Sequence, residues 1–154
     1  MDEQRTIQAS EAEVLTTPQL QEAVRRLEGT APPSNAILHA WIKSGLIQRH
    51  FDRTAGRAAL WSLDDLAVIR LILRLRNAGI SGQRVRLILS QIGPDLPNLL
   101  KSDRQEKLLI VDGYRAVLRT VGSADRELPS GQLRLPLASI VEDNDKVAAA
   151  IRAA

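Results

Sequence analysis

Apolar residues return every three or four positions in four stretches of the first 92 residues, and each stretch is bracketed by residues that start or stop helices. In the first, Thr17 can cap and Pro18 takes the first helical position. Leu20, Ala23, Val24 and Leu27 form the stripe, Arg25 and Arg26 suit the dipole near its end, and Gly29 stops it. A loop over 30–33 with two prolines leads to the second, 34–44, with Ser34 as N-cap and Ile37, Leu38, Trp41 and Ile42 as its stripe. Its other face offers Asn35, Ala36, His39 and Lys43, and Gly45-Leu46 is a sharp stop. The third opens on a Ser62/Asp65 capping box, with Asp64 also in its first turn. Leu66, Val68, Ile69, Ile72, Leu73 and Leu75 make it apolar around most of its circumference, so it is expected to be the central packing helix, with Arg70, Arg74 and Asn77 on a polar stripe. Gly79 ends it, Ser81 recaps, and Val85, Ile88, Leu89 and Ile92 run along the fourth until Gly93-Pro94.

The remaining stretches read differently. Residues 1–16 are polar and acidic and are expected to be a flexible lead-in. The loop over 48–60 carries Arg49, His50, Arg53, Gly56 and Arg57. Loops of that length inside a compact domain have a purpose or a hairpin of their own. Pairing 47–51 with 58–61, with Ile47 and Phe51 anchoring the base, would place Arg53 and Arg57 at the tip of a wing; the alternative is a basic loop without one. After a linker over 93–106, residues 107–111 and 114–121 flank Asp112-Gly113, a strong hairpin signal. A further strand, 132–137, follows the turn Pro129-Ser130-Gly131, and a last helix over 145–154 could be capped by Asp143 or Asn144.

Charge sharpens the picture because of where it lies. Residues 33–92 carry nine Lys/Arg against three Asp, a balance of +6, whereas 1–30 carry three against six and 93–154 nine against nine. Concentrated positive charge is the footprint expected for phosphate contact, although an Arg-rich helix face is equally at home in solvent. A hydrophobic fraction of 44% is enough for a core, filled by aliphatic residues because aromatics are only 3%. Without cysteine there is no disulfide, thiolate chemistry or Cys-based metal site, which suits a cytoplasmic protein. The acidic start lacks a secretory signal, and Arg70, Arg74 and Arg76 interrupt the most apolar helix, so no stretch reaches membrane-spanning length. Two histidines, no Gly-rich phosphate loop and carboxylates that read as caps argue against an enzyme. No metal or cofactor is expected.

A short helix stopped by glycine, an Arg-dotted loop and a following helix outline a winged helix-turn-helix. Ser34, Leu38, Gly45-Leu46-Ile47, Trp61-Ser62, Asp65-Leu66, Ile69, Leu75-Arg76 and Gly79-Ile80-Ser81 stand where the MerR-type family carries its pattern, and 34–92 resembles that family. This chain departs from it in having His39 for the recognition-helix Arg, Ala40 and Trp41 for two aromatics, Ala59 for the wing Arg with Arg57 nearby, and Pro32-Pro33 in the first turn. The long dimerising helix of such regulators is also missing, replaced by the strand unit. That layout is similar to antitoxins with a MerR-like head that bind a toxin through their C-terminal part.

The expected fold is therefore mostly α: a winged helix-turn-helix of four helices plus wing over 17–92, then a small β-hairpin and strand unit with a terminal helix over 107–154. The resemblance implies a dimeric transcription regulator on double-stranded DNA. The residues expected at DNA are Ser34, Asn35, Ala36, His39, Lys43, Arg49, His50, Arg53, Arg57 and Trp61. Asn35 could pair bidentately with adenine, and His39 and Lys43 could reach phosphate or a guanine edge. The alternative is an adaptor or antitoxin whose 107–154 unit binds a protein partner, a toxin or another, with DNA binding secondary.

Overall fold

Side-chain caps fix where four of the helices begin. The computed structural model describes residues 14–47, 60–93, 107–112, 115–120 and 133–154, which are mostly helical. In order they form β1 (Leu15–Thr16), α1 (Thr17–Glu28), α2 (Asn35–Lys43), β2 (Leu60–Trp61), α3 (Leu63–Asn77), α4 (Gly82–Ile92), β3 (Lys107–Asp112), β4 (Arg115–Thr120), β5 (Leu133–Pro136), α5 (Ala138–Val141) and α6 (Asn144–Ala153). No helix among the described residues is long and apolar enough to cross a membrane. The chain divides into two compact units, Met1–Arg70 with Asp143–Ala154, and Leu71–Glu142.

In the first unit, the expected lead-in ends earlier than position 16. Leu15 is fully buried and pairs with Trp61, and Thr16 pairs with Leu60, in an antiparallel two-strand ladder. The cap of α1 is correspondingly Thr16 and not Thr17. Gln19 N–H donates to Thr16 Oγ1 at 3.3 Å, and Thr16 N–H donates to Gln19 Oε1 at 3.0 Å, a reciprocal capping box. This leaves the Thr17 hydroxyl free for a tertiary role: its Oγ1 accepts the Trp61 indole N–H at 2.9 Å. Leu20, Ala23 and Val24 bury the inner face of α1.

Arg70 corrects the sequence reading of α3. It does not lie on a solvated stripe but is buried, 3% exposed. Its Nη1 donates to Asn144 Oδ1 at 2.7 Å and its Nη2 meets Glu28 Oε2 at 3.3 Å. A buried guanidinium is tolerable only with such partners. The same contacts explain why α6 groups with the N-terminal elements and not with the strands expected to share its domain. It packs along α1, burying Asn144, Ala148 and Ile151. Asp143 occupies the cap position with φ 66° but makes no side-chain capping bond; Asn144, the other cap expected from the sequence, is spent on Arg70.

In the second unit, Leu75, Ile80, Val85, Ile88 and Leu109 are among the buried aliphatics. Gly79, at φ 89°, turns the chain out of α3, and Ser81 Oγ accepts Arg84 N–H at 3.3 Å to open α4. The sheet runs β4-β3-β5, antiparallel throughout. Leu109 lies between Leu118 and Leu135, and Asp112 pairs with Arg115. The expected hairpin pairing is thus present on both sides of 113–114, which lie outside the described residues together with 121–132. Gln91 of α4 caps the outer edge of β4, its Oε1 accepting Ala116 N–H at 2.8 Å. The third strand stops at Pro136, where buried Leu137 leads into the short helix α5, which the sequence pattern does not announce.

Candidate nucleic-acid interface

The helix expected to read DNA is short because both its ends are fixed. At the start, Ser34 sits in extended backbone and its Oγ accepts Ile37 N–H at 3.2 Å. At the end, Gly45 N–H donates to Ile42 O at 3.1 Å and Leu46 N–H to Trp41 O at 3.0 Å. That pair of bonds is the Schellman arrangement, and it requires the left-handed φ of 79° that Gly45 adopts. Nine residues remain between the caps, about 13 Å of helix.

Asn35, Ala36, His39 and Lys43 are all exposed, and Leu38 anchors the opposite side at 1% exposure. Asn35, His39 and Lys43 recur every four positions and share one face. The expected apolar stripe is narrower than the spacing suggests: Trp41 and Ile42 are half-buried, and Ile37 is 45% exposed. Ala36, Ala40 and Ile37 follow one another around the helix and are all exposed, so the outward surface is apolar along one margin.

One contact is not readable from spacing. Gln21 of α1 donates from Nε2 to Pro33 O at 3.1 Å and to Asn35 Oδ1 at 2.9 Å. It therefore ties the loop before α2, and the first residue of α2, to a helix fourteen positions upstream. No local pattern marks Gln21; its role depends on the turn that brings α1 and α2 together.

Trp61 is a correction. It is 2% exposed, with its indole N–H satisfied by Thr17, so it belongs to the core and cannot reach a duplex. Leu60–Trp61, the described end of the expected wing hairpin, has its ladder with Leu15–Thr16. Ile47 is buried. Arg49, His50, Phe51, Arg53 and Arg57, and the turn at Thr54-Ala55-Gly56, lie outside the described residues. Ser34, Asn35, Ala36, His39 and Lys43 are thus brought onto one short helix, and Trp61 is separated from them by burial.

Among the described residues no group of three or more His, Asp or Glu could hold a metal ion. No protein-family model matches the chain, and no curated protein matches its sequence.

Proposed function

We infer that the protein is a sequence-reading regulator of transcription, in which α1, α2 and the arginine-bearing loop after α2 act as a winged helix-turn-helix head on double-stranded DNA. The observation that carries this reading is the exposed face of α2: Asn35, His39 and Lys43 stand outward on a helix held by caps at both ends and anchored by Leu38. A docked recognition helix places N-terminal residues on base edges and later ones on phosphate, and the amide at the start and ammonium at the end follow that order. The concentration of Lys and Arg over 33–92 supplies the attraction. The regulator acts in the cytoplasm as a homodimer on a two-fold operator, and no catalysis is assigned to it.

The test is binding of the full chain to its own promoter region, by footprinting and by titration against random duplex at several salt concentrations. A protected site with a preference over random DNA is expected; equal binding of all duplexes at every salt concentration would sink the reading.

A second reading, partner binding through the strand unit, draws on Val117. It lies on edge strand β4 at 47% exposure, where a core valine would be covered. In an antitoxin both functions coexist, with the protein repressing its own operon. Coexpression of the full chain with the product of the adjacent gene tests this. Association that Val117→Lys abolishes without altering DNA binding is expected; no association of the native chain rejects it.

A further inference from the structure

The Gln21 contact fixes more than position. The carbonyl of Pro33 can only accept a hydrogen bond, so the half of the Gln21 amide that faces it must be the NH2 group. The same nitrogen meets Asn35, so the Asn35 atom turned toward Gln21 must be an acceptor, which is Oδ1. Amide polarity thus passes from a backbone carbonyl through one side chain into the next. The Asn35 Nδ2 group is left pointing elsewhere, on an exposed residue at the first position of α2.

We propose that Gln21 is a specificity-determining residue acting at one remove: it holds Asn35 with its Nδ2 donor outward, so that Asn35 takes a base edge carrying acceptors, guanine before adenine. This rests on the DNA-reading role of α2 inferred above. Guanine presents O6 and N7, both acceptors, to the major groove, and the two N–H bonds of Nδ2 match them. An adenine pair needs Oδ1 to accept from N6–H2 as well, and only one of its two lone pairs is left by the bond from Gln21. Gln21 does not touch the base; it is a positioning residue.

The experiment is selection of bound duplexes from a randomised pool by the full chain, native and as Gln21→Ala, Gln21→Glu and Asn35→Asp, with melting temperatures to establish that each variant is folded. The native chain is expected to select guanine at one position of each half-site. Gln21→Ala keeps the remaining positions and relaxes that one. In Gln21→Glu both bonds are lost, because a carboxylate can donate neither to Pro33 O nor to Asn35 Oδ1, and the guanine preference at that position is lost with them. Asn35→Asp can still accept from Gln21 but has no outward donor, and its preference for the selected site over random duplex falls about tenfold. The proposal is overturned if the native chain selects a sequence and the variants leave every position unchanged. It is equally overturned if they weaken binding to all sequences alike, which is the signature of a phosphate contact. If the native chain selects nothing, the DNA-reading role itself fails, so the two failures are distinguishable.

Discussion

A single arginine shows how far a residue's role departs from its place in a pattern. On spacing, Arg70 belongs with Arg74 and Asn77; in the fold it is held by Glu28 and Asn144, its side chain 4% and that of Glu28 5% exposed. Removing Glu28 takes a carboxylate away from a buried guanidinium. Glu28→Ala is therefore expected to lower unfolding stability by about 3–5 kcal/mol, whereas the double change Glu28→Leu with Arg70→Met costs much less. Urea denaturation of the two variants checks this; equal loss in both would mean that packing and not charge dominates the site. The exposed pairs of Glu22 with Arg25 and Arg26 are of another kind, with arginine side chains 61% and 47% exposed. Each is worth less than about 1 kcal/mol.

The terminal helix is where expectation and fold part most clearly among the elements. Its existence is written in the spacing of Val147, Ala148 and Ile151, but its partner is not. It lies on α1 and brings Asn144 to Arg70, so the first unit is completed by the last residues of the chain. A chain ending at Glu142 is expected to lose stability beyond the loss from Asn144→Ala, because the cover of α1 goes with the hydrogen bond. An unchanged urea midpoint on truncation would reject that role. By contrast α2 is local in origin: Ser34 starts it and Gly45 stops it. Ser34→Ala should cost about 1 kcal/mol, read from the same denaturation curve.

For the whole molecule, the distribution of charge matters more than the net value of +3. Arg70 is one of the nine cations counted over 33–92 and is neutralised by Glu28, so it adds little to the field outside. The cations left to meet a duplex include Lys43, at the exposed C-terminal end of α2. If it contacts one phosphate, Lys43→Ala should reduce the slope of log affinity against log salt by about 0.9 and weaken specific and random DNA alike. Binding measured across a salt series reads this directly, and an unaltered slope would remove Lys43 from the interface.

The sequence by itself determined what depends on neighbours in the chain. Ser34, Ser62 with Asp65, Ser81, Gly45 and Gly79 each act within a few residues, so their caps and stops were legible and the helices fell close to where spacing put them. The pairing on either side of 113–114 was legible for the same reason. Tertiary structure alone decided what depends on meetings at long range. Leu15 with Trp61, Trp61 with Thr17, Gln21 with Asn35 and Arg70 with Asn144 join positions 14 to 74 residues apart. Burial is a property of such meetings, which is why a tryptophan expected at DNA and an arginine expected on a polar stripe turned out to lie in the interior.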